Sequence, residues 1–325
     1  MPNKPRPVVD GIPFAVEKDF PAALPLPDGR FPLPFSFPVG GLFGSPSVPA
    51  HIALLVLFAA LLHATWNTIV KGGENKLYES ALNALGGGLG ALCLVPFLSF
   101  PASAAWPFLG LSCCCHLAYY VSIAEVYKVV DLSVGYTIMR GSSPLFTAVA
   151  MVSLGTSLSP AGWGGLLAIC SGIACLALQG GPSRLGRHGL WLVLRTAFII
   201  MGYTLSDGFG GQRSGDSVGY ACWIFVLNIF PLHAVVLARS GRDYLRYARK
   251  RALPSLGGGL CGLGSYGIAI WAMSAAPIAL VAALRETSVV FGMLLAVLFL
   301  GERFSRLRAA AVALVAAGAM LLKAG

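Results

Sequence analysis

Ten apolar runs follow one another from residue 51 onward, at about 51–70, 79–99, 106–126, 133–154, 160–179, 188–207, 218–238, 253–273, 278–299 and 306–323. Each is close to the roughly 20 residues that a helix needs to cross a hydrocarbon core about 30 Å thick. The fold expected from this pattern is an all-α membrane protein of about ten transmembrane helices. A soluble globule is excluded, because 56% of the 325 residues are hydrophobic and only 11% are charged, against about 25% in an ordinary soluble domain. A mean hydropathy of +0.76 agrees. With connections of about seven residues, ten spans use up everything after residue 49 and leave no room for a large soluble domain.

The first 49 residues differ. They hold 12 of the 21 prolines and equal numbers of acidic and basic side chains, with neither a basic start nor a continuous apolar stretch. They read as an extended, disordered Pro-rich tail rather than a signal peptide. The net charge of +10 therefore belongs to the apolar part. A basic balance suggests nucleic acid in a soluble chain, but here it has another source. The connections after odd-numbered runs carry 14 Lys and Arg, including Lys71, Lys128, Arg184 and the group from Arg239 to Arg251, whereas those after even runs carry only Arg213. By the positive-inside rule the odd connections are cytoplasmic and both termini lie outside, in the inner or plasma membrane of a multi-pass protein without a nucleic-acid partner. The eight cysteines sit singly or in a triplet inside apolar runs without metal-ligand spacing, and read as small buried residues.

Residues 120–174 align with 266–320 with a single one-residue slip. Arg140-Gly141-Ser142-Ser143 meets Arg285-Glu286-Thr287-Ser288, and Leu154-Gly155-Thr156-Ser157 meets Leu300-Gly301-Glu302-Arg303. The offset equates runs 3, 4 and 5 with runs 8, 9 and 10. Five is odd, so the second copy enters the membrane from the opposite face, as in inverted repeats that expose one midplane site to each side in turn. The expected repeats are 51–179 and 188–323. Triple glycines at 86–88 and 257–259 do not obey the offset, and mark helix-packing faces instead.

The few charges inside the runs carry the chemistry. Arg140 and Arg285 each lie about seven residues into a run, about 10 Å from its start and near the midplane. An arginine there costs about 2.5–3.5 kcal/mol on insertion scales, so it should face the bundle with a partner. That partner is either a structural carboxylate or carbonyl, or the anionic group of a substrate. Glu286 points about 100° away from Arg285 around a helix, and is a candidate for a proton or a substrate amine. Asp207 is a second such candidate or an interfacial cap closing run 6. Glu125 is expected at the interface, and Arg195 is expected to snorkel or to pair with Asp207 or Glu286. In run 1, His63 and Asn67 share a helical face with Trp66 between them. That face either binds a neighbouring helix or lines a cavity, as do Tyr120, Tyr136 and Tyr266. No nucleotide-binding Gly-Lys-Ser/Thr loop, His-Glu-x-x-His or Gly-x-Ser-x-Gly occurs, which argues against an ATP-driven pump and the common hydrolases. No metal or cofactor is expected.

Three segments, His63-Ala64-Thr65-Trp66-Asn67, Arg140-Gly141-Ser142-Ser143-Pro144-Leu145 and Leu300-Gly301-Glu302-Arg303-Phe304-Ser305, resemble the EamA-type members of the drug/metabolite transporter superfamily. The resemblance covers about 51–323. It implies ten helices in two inverted five-helix repeats around a central cavity, secondary transport of small metabolites, and no enzymatic activity. The family's turn glutamate matches Glu302, read here as a gating or helix-start residue, while Thr156 stands at its place in the first repeat. Val289 likewise faces Pro144, so the halves are unequal. The expected function is a secondary transporter, and more specifically an exporter, of a small polar metabolite. Its partners are the bilayer and that substrate, with the proton as candidate coupling ion. A flippase for a lipid-linked sugar or other amphiphile is the alternative, and an intramembrane enzyme or non-transporting membrane partner is the third.

Overall fold

The computed structural model describes residues 48–130, 132–177, 186–300 and 306–324. The Pro-rich tail through residue 47 and the Glu302 turn lie outside the described residues. Every described regular element is helical: α1 Ala50–Gly72, α2 Lys76–Leu94, α3 Trp106–Val129, α4 Leu132–Ser153, α5 Pro160–Ala177, α6 Arg187–Arg213, α7 Ser217–Ala275, α8 Ile278–Arg285, α9 Ser288–Leu300 and α10 Arg306–Ala324. Two short 3-10 turns, Val95–Phe97 and Ser103–Ala105, join α2 to α3. A lipid-exposed backbone must satisfy its polar groups internally, which the helix does.

Local chemistry sets several boundaries. Asn75 accepts from the amides of Leu77 and Tyr78 to start α2, and Asp216 does the same from Val218 and Gly219 to start α7. At the end of α4, Gly155 has φ of 95°, and the amides of Gly155 and Thr156 close onto the carbonyls of Val152 and Met151. That is a Schellman ending, which needs a residue free to take a left-handed conformation.

Six helical stretches among the described residues are long and apolar enough to cross a membrane: Ala50–Val70, Lys76–Phe97, Ser103–Ile123, Arg187–Arg213, Ser217–Ala275 and Ile278–Leu295. Pro160–Cys175 and Ala309–Leu322 are shorter and apolar. The protein is thus an α-helical, multi-pass membrane protein. Fewer stretches qualify than the sequence has apolar runs, because the described apolar parts of α5 and α10 are short and for two further reasons. α7 merges runs 7 and 8, and α4 is diluted by Arg140, Ser142, Ser143 and Thr147.

α7 is the largest departure from expectation. The six basic residues between Arg239 and Arg251 do not lie in a loop, because helix continues through them with one non-helical residue, Ser240, at φ −148° and ψ 28°. At about 1.5 Å per residue, 59 residues in a straight line would reach far beyond a bilayer. Instead the two arms fold back at Ser240. Positions 86–88 of α2 lie against Phe225 and Ile229 of the first arm and against Leu256 and Gly259 of the second. His233 and Tyr244 bridge the arms at 3.0 Å.

The triple glycines explain the close packing of α2 on the second arm. A methyl group at Gly86 would stand 2.4 Å from the Leu256 carbonyl oxygen, and one at Gly259 would stand 2.1 Å from that of Asn83. The two motifs are unrelated by the repeat offset because they face each other. Gly165 and Gly318 make the same kind of contact between α5 and α10, where each would press on the other's carbonyl at 2.7 Å.

Candidate functional site

Two helix irregularities create the site. In α4, Pro144 has no N–H, so the carbonyl of Arg140 loses its helical donor. The hydroxyl of Ser143 approaches it instead, at 3.4 Å. The second irregularity splits the expected run 278–299 into α8 and α9. Around residues 286 and 287 the backbone closes by i→i−3 bonds, from Glu286 to Ala283, Thr287 to Leu284, Val289 to Glu286 and Val290 to Thr287. The Thr287 hydroxyl donates to Leu284 O at 2.7 Å. Arg285 and Glu286 stand at this break, inside the bundle.

Arg140 and Glu286 meet there. Arg140 Nε lies 2.9 Å from Glu286 Oε2, and both residues are buried, at 7% and 5% exposure. The contact is an ion pair by distance, but neither of those two atoms has a well-aligned hydrogen bond. Arg140 Nη2 also lies 3.3 Å from His63 Nε2, and Trp66 Nε1 donates to His63 Nδ1 at 3.2 Å. A guanidinium and an indole only donate, while a neutral imidazole has one acceptor nitrogen. His63 therefore serves Arg140 or Trp66, but not both at once. Asn67 turns back to the carbonyl of His63 at 2.8 Å.

On the other side of the break the Arg285 guanidinium sits 5.0 Å above the Tyr266 ring. Among the described residues no carboxylate lies within ion-pair distance of it. The Tyr266 hydroxyl donates to Asp207 Oδ2, and Tyr220 reaches Asp207 Oδ1 at 3.4 Å. Asp207 is 1% exposed. It does not close its helix as an interfacial cap, since α6 runs on to Arg213. Tyr203 lies one turn before Asp207 on α6 and stacks on His116 of α3 at 4.5 Å. The charges of Arg140, Arg285, Glu286 and Asp207 all act on Tyr203, so the tyrosine lies within electrostatic reach of both groups.

Of the residues singled out in the sequence, Arg140, Glu286, His63 and Trp66 thus form one group, and Arg285, Tyr266 and Asp207 form its neighbour. Asn67 contacts its own helix. Tyr120 and Tyr136 lie on α3 and α4, and their side chains, like all of Glu302, are outside the described residues. Arg195 pairs with neither Asp207 nor Glu286, the two partners considered for it beside snorkelling. It reaches Glu125 of α3 at 2.5 Å and Ser122 at 2.8 Å, with both members of the ion pair partly exposed. Sequence reasoning missed Tyr203, Tyr220 and His116 at the site. The available signal for Tyr203 was its spacing of four from Asp207.

A third buried carboxylate was missed altogether. Glu79 of α2 is fully buried and takes three donors from α7: Ser255 Oγ at 2.5 Å, Tyr247 Oη at 2.7 Å and Arg251 Nε at 2.7 Å. Tyr247, Arg251 and Ser255 are spaced by four and share a helix face, which is the pattern that could have pointed to it.

A groove of about 350 Å³ lies elsewhere, between α1, α8, α9 and α10. It is lined by apolar side chains such as Leu54, Leu57, Phe291 and Met320, with Leu284 and Thr287 nearest the helix break. Leu54 and Met320 are about two-thirds exposed, so its mouth is on the outer surface. The charged cluster does not line it.

Three comparisons bear on this arrangement. The family model described as the EamA-like transporter family matches residues 188–323. No curated protein matches the chain in sequence. Among solved structures, one crystal structure superposes with a TM-score of 0.65 at 18% identity, covering 83% of this chain and 97% of its own. At that identity the likeness is one of fold.

Proposed function

We infer that this chain, whose residues 188–323 match the model of the EamA-like transporter family, is a secondary transporter that exports a small polar metabolite bearing an anionic group. The observation that carries the reading is Arg285. Its guanidinium is held on an aromatic face at a helix break, next to a paired arginine and glutamate, and among the described residues no carboxylate pairs with it. Broken helices near the midplane are where transporters of inverted-repeat architecture bind their substrates. A substrate carboxylate or phosphate would fill the open position at Arg285 and compete with Glu286 for Arg140.

The proposed architecture is ten spans in two inverted five-helix repeats, 51–179 and 188–323, working by alternating access in the inner or plasma membrane. The packing pattern supports it: α6 packs on α3 and α4, as α1 packs on α7 and on α8 and α9. These pairs exchange under the five-run offset. The Leu300 to Ser305 turn, with Glu302 as a gate, completes the second repeat in this reading. Tyr120 and Tyr136 are proposed to border the cavity.

The test compares metabolites retained and released by cells with and without the gene. Release of one or a few anionic metabolites should rise with the gene, and identical profiles would remove the transporter reading. The apolar surface groove favours a second reading, a flippase whose substrate's acyl chain lies between α1 and α10 while its head group enters at Thr287. In that case vesicles carrying the protein would move fluorescent short-chain lipids between leaflets, and the metabolite profiles would not change.

A further inference from the structure

Asp207 and Glu286 are both buried carboxyls, but they are held differently. Glu286 faces a guanidinium, and Arg285 lies within electrostatic reach as well. Asp207 faces hydroxyls: Tyr266 and Tyr220 from the two arms of α7, and Ser112 from α3. Its remaining titratable and charged neighbours are His116, Cys113 and Cys115 on α3, Tyr203 on its own helix, and Arg285 beyond the Tyr266 ring on α8. Among the described residues no lysine, arginine or histidine nitrogen lies within ion-pair distance of it.

This difference matters because hydroxyls serve either form of a carboxyl. They donate to a carboxylate and accept from a carboxylic acid, so the shell around Asp207 can remain in place when a proton arrives or leaves. A guanidinium can only donate, so the contact with Arg140 favours the ionised form of Glu286 alone. Tyr266 then links the carboxyl to the anion position, with its hydroxyl on Asp207 and its ring under Arg285.

We propose that Asp207 is a proton-binding site of the transport cycle, and that a proton there favours an anion at Arg285, so that proton and anionic substrate move together. The inference rests on the transporter reading above. An ionised Asp207 places a negative charge one tyrosine ring from Arg285 and opposes an incoming anion. Protonation removes that charge, and at the effective dielectric of a protein interior the gain in anion affinity is on the order of tenfold. Thermodynamic reciprocity requires the bound anion to favour the proton by the same factor. Metabolite and proton then leave the cell together. Alkaline medium outside should speed export, and acid outside should oppose it.

Two measurements test this. The first is infrared difference spectroscopy of the full chain in lipid nanodiscs during a pH titration, which reads the carboxylic-acid C=O band and needs no substrate. The band should titrate in the wild type, vanish in Asp207→Asn, persist in Glu286→Gln, and change midpoint in Tyr266→Phe. A band that persists in Asp207→Asn, or a wild type with no titrating carboxyl, overturns the proposal. The second is release of the cells' own metabolites, measured by mass spectrometry over a range of external pH. Wild-type release should rise with external pH. Asp207→Asn should lose that dependence, while His116→Gln, which removes the nearest imidazole, keeps it. Faster release into acid medium would contradict joint movement. If the infrared band is assigned to Asp207 but no metabolite is released through the protein at any pH, the transporter reading fails while the proton site stands.

Discussion

Glu79 and Glu286 are two buried carboxylates with opposite surroundings. Glu79 is surrounded by three donors from one face of α7, each between 2.5 and 2.7 Å, and every one is well aligned. Glu286 has an arginine at 2.9 Å whose Nε–H does not point squarely at it, and a second arginine beside it that pairs with no carboxylate among the described residues. The first arrangement is what a locked helix contact looks like: all its polar groups are satisfied, and the charge gains nothing by moving. Among the described residues the second sets two arginines beside one carboxylate, at a point where the helix is already interrupted. A buried charge is expensive in lipid in both places, but only one of them leaves room for an outside partner.

The comparison can be broken by substitution, starting at the lock. Removing the carboxylate with Glu79→Ala strips three bonds from α2 and α7 and should destabilise the protein by about 3 kcal/mol. Thermal unfolding in detergent reads this, and an unchanged midpoint would mean that the contact is incidental.

Arg140→Ala leaves Glu286 buried without its ion-pair partner, and the expected loss is about 2 kcal/mol, reduced because Arg285 is close enough to take over part of the pairing. Adding Glu286→Ala should restore most of that stability without restoring export. A double variant no more stable than the single would show that the pair does not act as a unit. Arg285→Ala gives up a cation–π contact worth about 0.5–1 kcal/mol and should barely shift unfolding. A shift as large as that for Glu79→Ala would make Arg285 structural. Smallest of all is Arg195→Ala, at the partly exposed pair with Glu125. Such pairs are screened, so neither unfolding nor export should change measurably. A clear drop in export would extend the site to α3 and α6.

Much of this was legible in the sequence, for a physical reason: in lipid a charged side chain is costly enough that its presence alone is informative. Arg140, Glu286, Asp207 and Arg285 stood out on that ground, and the structure places them in one neighbourhood. Their pairing was less legible. Adjacent Arg285 and Glu286 were expected to face different directions, and they do, toward Tyr266 and Arg140. Which helix faces which is set by long-range packing, and that is why Glu125 did not stand out as the partner of Arg195.

Glu79 escaped notice because an acid in the first turn of a helix is ordinary. Only contacts 168 to 176 residues away show that it is buried and locked. The break at Glu286 and Thr287 carries neither proline nor glycine, so no local breaker announced it. The fold-back of α7 at Ser240 was hidden in the opposite way. A basic stretch between two apolar runs reads as a loop, yet Arg and Lys are good helix formers, and the helix continued through them.

The most direct test of the central claim is metabolite release from cells expressing wild type, Arg285→Ala and Arg285→Lys at equal membrane levels. If the open guanidinium is the anion site, Arg285→Ala should lose about tenfold or more of the release that the gene confers. Arg285→Lys, which keeps the charge but not the planar fork, should recover only part of it. Release from Arg285→Ala equal to that of the wild type would contradict the account.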